Sequence, residues 1–215
     1  MVPILIKIKL MTTAMAGWTA AASPVPMPVE GVATVLGSEV TSPIAVSLFD
    51  ENEHRTGNIA VWRDGSTDLA TKAEVKSLFH CRTTHREKLM AQQTLAMLAD
   101  IQEHYPGKTI EYVSAYRNSS GESWTSPHRA ARALDFRIRG VKLGEIRDYL
   151  WTTYTDVGVG WYPSEQFVHI DTRPVEHDMA WTFLNGNNRY HPYWAEKIRT
   201  TRPTSVATID RHAKS

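Results

Sequence analysis

The chain has 215 residues, enough for one sizeable domain or two small ones, and a hydrophobic fraction of 42% allows a core. Its net charge is +1, with Lys and Arg scattered, so no broad field points to nucleic acid or to an acidic lipid surface. The lone cysteine, Cys81, excludes an intramolecular disulfide and reads as a small packed residue before a helix, not as a nucleophile.

Lys7 and Lys9 precede an uncharged run from Leu10 to Ala22, and Ala20-Ala21-Ala22 offers small residues at a cleavage site. Residues 1–22 therefore read as a secretory signal peptide, too short and too polar for a membrane span. The plain alternative is an N-terminal extension without structure. Residues 23–43 are proline-rich and read as an extended linker. Ile44 to Phe49 alternates, and Asn58 to Trp62 returns beside it as a β-hairpin.

Thr84 with Glu87 three residues on is a capping box. Met90, Met97, Leu98, Ile101 and Tyr105 then share a helical face, so the spacing predicts a helix from Thr84 to a stop at Pro106-Gly107. Thr109 to Tyr116 predicts a strand, and Asn118 to Pro127 a loop rich in Ser and Gly. Ala133 to Ile138 alternates, with Leu134, Phe136 and Ile138 on one face and Ala133, Asp135 and Arg137 on the other. Leu143, Ile146, Leu150 and Tyr154 mark a second helix. Val157 to Tyr162 and Phe167 to Asp171 follow as two strands joined by Pro163-Ser164-Glu165. Close strand pairs predict an α+β domain over residues 44–199, an antiparallel sheet with packed helices, followed by a polar tail at 200–215.

In this layout His128 sits just before a strand, Asp135 lies on that strand's polar face, and His169 shares a face with Phe167 and Asp171. Neighbouring strands lie about 4.8 Å apart, so the three side chains can converge on one ion. Two imidazoles and a carboxylate suit zinc (Zn2+) with an open position for water. On spacing alone the opposite reading stands level: a surface His128, an Asp135 paired with Arg137 or Arg139, and a core His169.

Ser126-Pro127-His128, then Asp135, then His169 late in a further strand resembles the zinc D-Ala-D-Ala peptidase family, whose fold is shared with the Hedgehog signalling domain. The match is closer to one bacterial branch, the murein endopeptidases once called a domain of unknown function. Gly158-Val159-Gly160-Trp161-Tyr162-Pro163 and Phe167-Val168-His169-Ile170-Asp171-Thr172 fit that branch, and Ser114-Ala115-Tyr116-Arg117 fits the family's Ser-Gly-Tyr-Arg. The resemblance covers residues 44–195 and is strongest over 112–174.

The resemblance implies that His128, Asp135 and His169 hold zinc and that Arg117 faces the substrate, stabilising an oxyanion or holding a carboxylate. It implies an enzyme that hydrolyses amide bonds in peptidoglycan stem peptides or cross-links; the separate signal-peptide pattern would place it in the periplasm or outside the cell, and a monomer is expected. Two positions depart from the pattern. Ala131 stands where the family has Gly, and Gln166 stands where its carboxypeptidases carry an acid. Asp171 or Glu165 then remains as proton acceptor, and Asp171 serves equally as a group that orients a ligand histidine. Gln166 also supports an alternative class, a zinc-containing wall-binding or structural module without catalysis. Trp161 and Tyr162 are candidates to wall the cleft and Trp124 to cover it, with core packing as the plain alternative, more so for Trp161 than for Trp124, and His177 reads as a loop histidine.

Overall fold

The computed structural model describes residues 42–173 and 178–199. The segment expected to be a signal peptide at 1–22, nearly all of the expected linker, the tail at 200–215 and His177 lie outside the described residues. The described elements run β1 (Ile44–Asp50), β2 (Arg55–Val61), α1 (Leu69–Leu78), α2 (Gln92–His104), β3 (Ile110–Ser114), β4 (Ala133–Ile138), α3 (Leu143–Thr153), β5 (Val157–Tyr162), β6 (Phe167–Thr172), β7 (Met179–Leu184), β8 (Asn187–Tyr190) and α4 (Tyr193–Arg199).

The strands form one eight-stranded sheet in the order β2-β1-β3-β4-β6-β5-β7-β8. The sheet is mixed, not wholly antiparallel as expected: β1 pairs with β3, and β5 with β7, in parallel. In each case an antiparallel neighbour already occupies one edge of the earlier strand, β2 beside β1 and β6 beside β5. The chain returns to the other edge in the same direction, which needs a crossover and not a tight turn. Among the described residues, no helix is long and apolar enough to cross a membrane.

The period-2 pattern separates the two faces of the sheet. Leu134, Phe136 and Ile138 of β4 join Val168 and Ile170 of β6, and Val157 and Val159 of β5, in one buried cluster. Leu95, Leu98 and Ile101 of α2, with Ile146 and Leu150 of α3, complete it. The same strands turn Asp135, His169 and Asp171 the other way, so packed helices on one side leave a polar row on the other.

Helix α1 was not expected. Its N-cap Asp68 accepts from Thr71 N at 2.7 Å, and Thr71, Val75 and Leu78 form its buried stripe. Helix α2 begins at Gln92, not at Thr84 as the capping box predicts, and its N-cap Ala91 makes no side-chain cap. The hydroxyl of Thr84 instead bonds Asn118, and Glu87 is exposed. Longer-range bonds outweigh the local preference here. Ala91 N donates to Ala131 O at 2.8 Å, and Lys88 Nζ to Arg129 O at 3.1 Å. The segment before α2 therefore braces the turn that carries His128.

Candidate metal centre

Three elements deliver the three predicted ligands. His128 sits in a turn closed by Arg132 N to Pro127 O (2.9 Å) and Ala131 N to His128 O (3.0 Å). Ala131 completes that turn at φ +55°, the left-handed region, where glycine is at ease and a Cβ costs about 1 kcal/mol. Asp135 and His169 face each other directly across β4 and β6. A register shift between Tyr112 and Ser114 bends the end of β3, and the next residue, Ala115, offers its carbonyl to His128 Nδ1 at 2.6 Å.

That carbonyl can only accept, so Nδ1 carries a proton and Nε2 is the nitrogen that faces Asp135 and His169. His128 Nε2 lies 3.2 Å from His169 Nδ1 and 3.3 Å from Asp135 Oδ2, and His169 Nδ1 lies 2.7 Å from Asp135 Oδ1. The ligand atoms of the trio all lie within 4.8 Å of one another. A tetrahedral ion with bonds near 2.0–2.1 Å needs ligand separations of about 3.3 Å. Two of the three contacts already have that length, and the third opens to it with a small side-chain shift. Among the described residues this is the one cluster of that kind.

The trio is buried: His128 is 2% exposed, and Asp135 and His169 are 5% exposed. Burial works against charge on Asp135, but His128 and His169 beside it hold its carboxyl well below the usual carboxylate range. Burial likewise works against an imidazolium at His169. The carboxylates of Asp135 and Asp171 outweigh it and push the pKa up to about 9. A site this anionic attracts a positive charge, whether proton or metal ion.

One row of residues crosses the polar face: Asp135 on β4, His169 on β6, Gly160 on β5, Trp181 on β7 and Tyr190 on β8. A Cβ at Gly160 would meet the Trp181 indole at 2.5 Å, so the glycine lets that ring lie beside His169, 5.0 Å between centroids. Trp181 Nε1 donates to Tyr162 OH at 3.1 Å, and Tyr162 stacks between Phe167 and Phe183. Burial raises the Tyr162 pKa, so the hydroxyl stays protonated and can itself donate.

These side chains line a cleft of about 280 Å3 that reaches the trio and also takes in Arg117, Arg173, Met179, Asn188 and Tyr190. Arg117 stands on its rim. Its backbone N donates to His128 O at 3.3 Å, and its guanidinium pairs with Glu122 at 3.1 Å. Asp171 is within the cleft lining, its Oδ2 3.1 Å from His169 Nε2 and 3.2 Å from Arg173 Nη2.

Other expected residues lie elsewhere. Glu165 and Gln166 are exposed in the β5–β6 turn, and Glu165 is not among the residues lining the cleft. Trp161 does not wall the cleft. It points across the strand from Tyr162, under the Arg147 guanidinium at 4.4 Å, and lines a separate cavity with Lys142 and Gln166. Trp124 is 87% exposed and rests on Arg129, 4.3 Å away. Arg173, Trp181 and Tyr190 were missed. Alternation along β6 puts Arg173 on the face of His169 and Asp171, a signal present in the sequence. Trp181 and Tyr190 sit on β7 and β8, strands that were not foreseen.

A carboxylate and two imidazoles at the base of an arginine-lined cleft are the donor set that could hold one metal ion, as single-metal hydrolases do. The chain belongs to the family described as peptidoglycan L,D-endopeptidase MepK, whose family model matches residues 40–178. Among curated proteins it is similar to the peptidoglycan L,D-endopeptidase MepK of Escherichia coli (strain K12), with 36% identity over 80 residues, covering 33% of this chain and 43% of that protein. It is also similar to the probable peptidoglycan L,D-endopeptidase MepK of Haemophilus influenzae, with 41% identity over 76 residues, covering 31% of this chain and 40% of that protein. These alignments span about two fifths of the length of the curated relatives.

Proposed function

We propose that this chain is a zinc-dependent peptidase that hydrolyses amide bonds in peptidoglycan stem peptides or cross-links. One observation carries the reading. His128 Nε2, a carboxylate oxygen of Asp135 and His169 Nδ1 converge within bonding range of one ion at the base of the cleft. Family membership supplies the substrate class. The mixed sheet with helices against one face also supports assignment to the Hedgehog/D-Ala-D-Ala peptidase-like class.

Zinc held by His128, Asp135 and His169 would supply a water nucleophile at neutral pH and polarise the scissile carbonyl. The chain's own groups bind and orient the peptide. Arg117 at the rim holds a substrate carboxylate or stabilises the developing oxyanion, and the Tyr162 hydroxyl donates into the same space. The aromatic wall of Tyr162, Trp181 and Tyr190 orients the peptide and thins the water around it. The Lys7–Ala22 pattern supports export, which would bring the enzyme to a periplasmic or external wall.

The test is digestion of purified cross-linked muropeptides by the zinc-loaded chain, read by mass. Release of uncross-linked peptides with uptake of one water per cut is the expected result. Cross-linked muropeptides and synthetic D-Ala peptides both left intact with zinc bound would contradict the peptidase and favour the wall-binding module.

A further inference from the structure

We infer that Asp171 is a positioning residue. It fixes which ring nitrogen His169 presents to the metal, in a space that Gly158 keeps open, and so sets how tightly zinc is held. The inference rests on the zinc reading above and deepens it.

A carboxylate only accepts hydrogen bonds. Asp171 Oδ2, 3.1 Å from His169 Nε2, therefore keeps a proton on Nε2, so that Nδ1, which faces the Asp135 carboxylate, is the nitrogen left to give its lone pair to an ion. Nδ1 is the nitrogen that faces His128 and Asp135, at 3.2 and 2.7 Å. A proton moved to Nδ1, or a ring turned over, would remove one of the three donors. Arg173 Nη2, 3.2 Å from the same Oδ2, offsets the charge of a carboxylate that is 1% exposed.

The space for this carboxylate comes from the partner strand. Gly158 pairs with Asp171 across β5 and β6. A Cβ at Gly158 would lie 2.8 Å from Asp171 Cγ and 2.5 Å from Arg173 Nη2, both inside van der Waals contact. Gly158 has an ordinary negative φ, so its backbone does not require glycine, and the neighbouring carboxylate is the physical reason for it. The two glycines of Gly158-Val159-Gly160 thus serve one imidazole, the first by admitting Asp171 and the second by admitting Trp181.

The same geometry removes Asp171 from the proton-acceptor role. Its Oδ2 is engaged on the side of the ring away from the trio, and its Oδ1 is buried without a hydrogen-bond partner among the described residues. A general base must come within hydrogen-bond reach of the water it activates.

Zinc dissociation constants, measured by chelator competition on the full chain, test this for wild type, Asp171→Ala, Asp171→Asn, Gly158→Ala and the Gly158→Ala/Asp171→Ala pair. Loss of an outer partner of a ligand histidine weakens metal binding about 10–100-fold, and Asp171→Ala and Gly158→Ala are each expected in that range. Asp171→Asn keeps an oxygen that accepts from both donors and is expected within about tenfold of wild type, the low end of the same range. The double variant is expected to bind no more weakly than Asp171→Ala alone, because the shortened side chain clears the space. At saturating zinc, Asp171→Asn is expected to lose less than about tenfold in kcat, short of the 10²–10⁴ that a general base contributes.

Wild-type zinc affinity in Asp171→Ala would overturn the inference. So would an Asp171→Asn that holds zinc normally but loses about 10²-fold or more in kcat, the mark of a proton acceptor. If truncation at Asp171 unfolds the chain, Asp171→Asn and Gly158→Ala decide. A wild-type chain that takes up no zinc would refute the peptidase reading itself. A wild type with one zinc and an indifferent Asp171→Ala would refute the positioning role alone.

Discussion

At His169 the two ring nitrogens face different partners, Asp135 with His128 on one side and Asp171 on the other. The metal-free site therefore couples to pH. The folded pKa of His169 is raised from 6.5 to about 9. Its contribution to stability is fully present below about 6.5 and is lost as pH rises through about 9. The Asp135 pKa is lowered from 3.8, so its contribution is present above that value and is lost as pH falls through the folded one. With zinc chelated, the melting temperature is expected to fall between about pH 6.5 and pH 9. Zinc must displace the His169 proton, so its apparent affinity is expected to rise over the same interval. Melting curves and zinc titrations at three pH values check both signs, and a zinc affinity that falls with pH would contradict this electrostatic picture. Arg117 answers to a different measurement. Arg117→Ala is expected to keep one zinc per chain and to lose about 10²–10³-fold in kcat, the scale of removing one oxyanion donor.

At the scale of elements, the site depends on how the strands lie against one another. Gly160→Ala would push a methyl into the Trp181 indole and is expected to cost about 1–3 kcal/mol by denaturant titration. Ala131→Gly should relieve the left-handed strain in the His128 turn, so that variant is expected to melt no lower than wild type despite losing a buried methyl. The strands of the site were legible because alternation there is strong. Ala133–Ile138 and Val157–Tyr162 have the predicted bounds, and Asp135 and His169 pair as their faces imply. Three other features were not legible, each for its own reason. Helix α1 has only a thin apolar stripe. The Thr84 capping box lost to bonds with Asn118 and with the His128 turn. Strand β8 is exposed along its whole length and carries no apolar alternation. The part played by Gly158 was invisible for a further reason: it appears only when a carboxylate on the neighbouring strand is in place.

At the scale of the whole molecule, one sheet divides the labour. Its apolar face buries Leu134, Phe136, Val168 and Ile170 under α2 and α3, while its other face stays polar and concave around the trio. The rigid core is what lets three side chains from separate elements hold positions within tenths of an ångström. Truncating that core at Leu134 is expected to cost about 2–5 kcal/mol and to lower zinc affinity with it, a coupling that unfolding curves with and without zinc would reveal. The central claim is that one zinc ion on His128, Asp135 and His169 makes this chain a peptidase of cell-wall peptides. Stepwise addition of zinc to the metal-free chain, with cleavage of cross-linked muropeptides followed at each step, tests it most directly. Activity should rise from nothing and level off at one zinc per chain. Cleavage indifferent to zinc, or none at one bound equivalent, would contradict it.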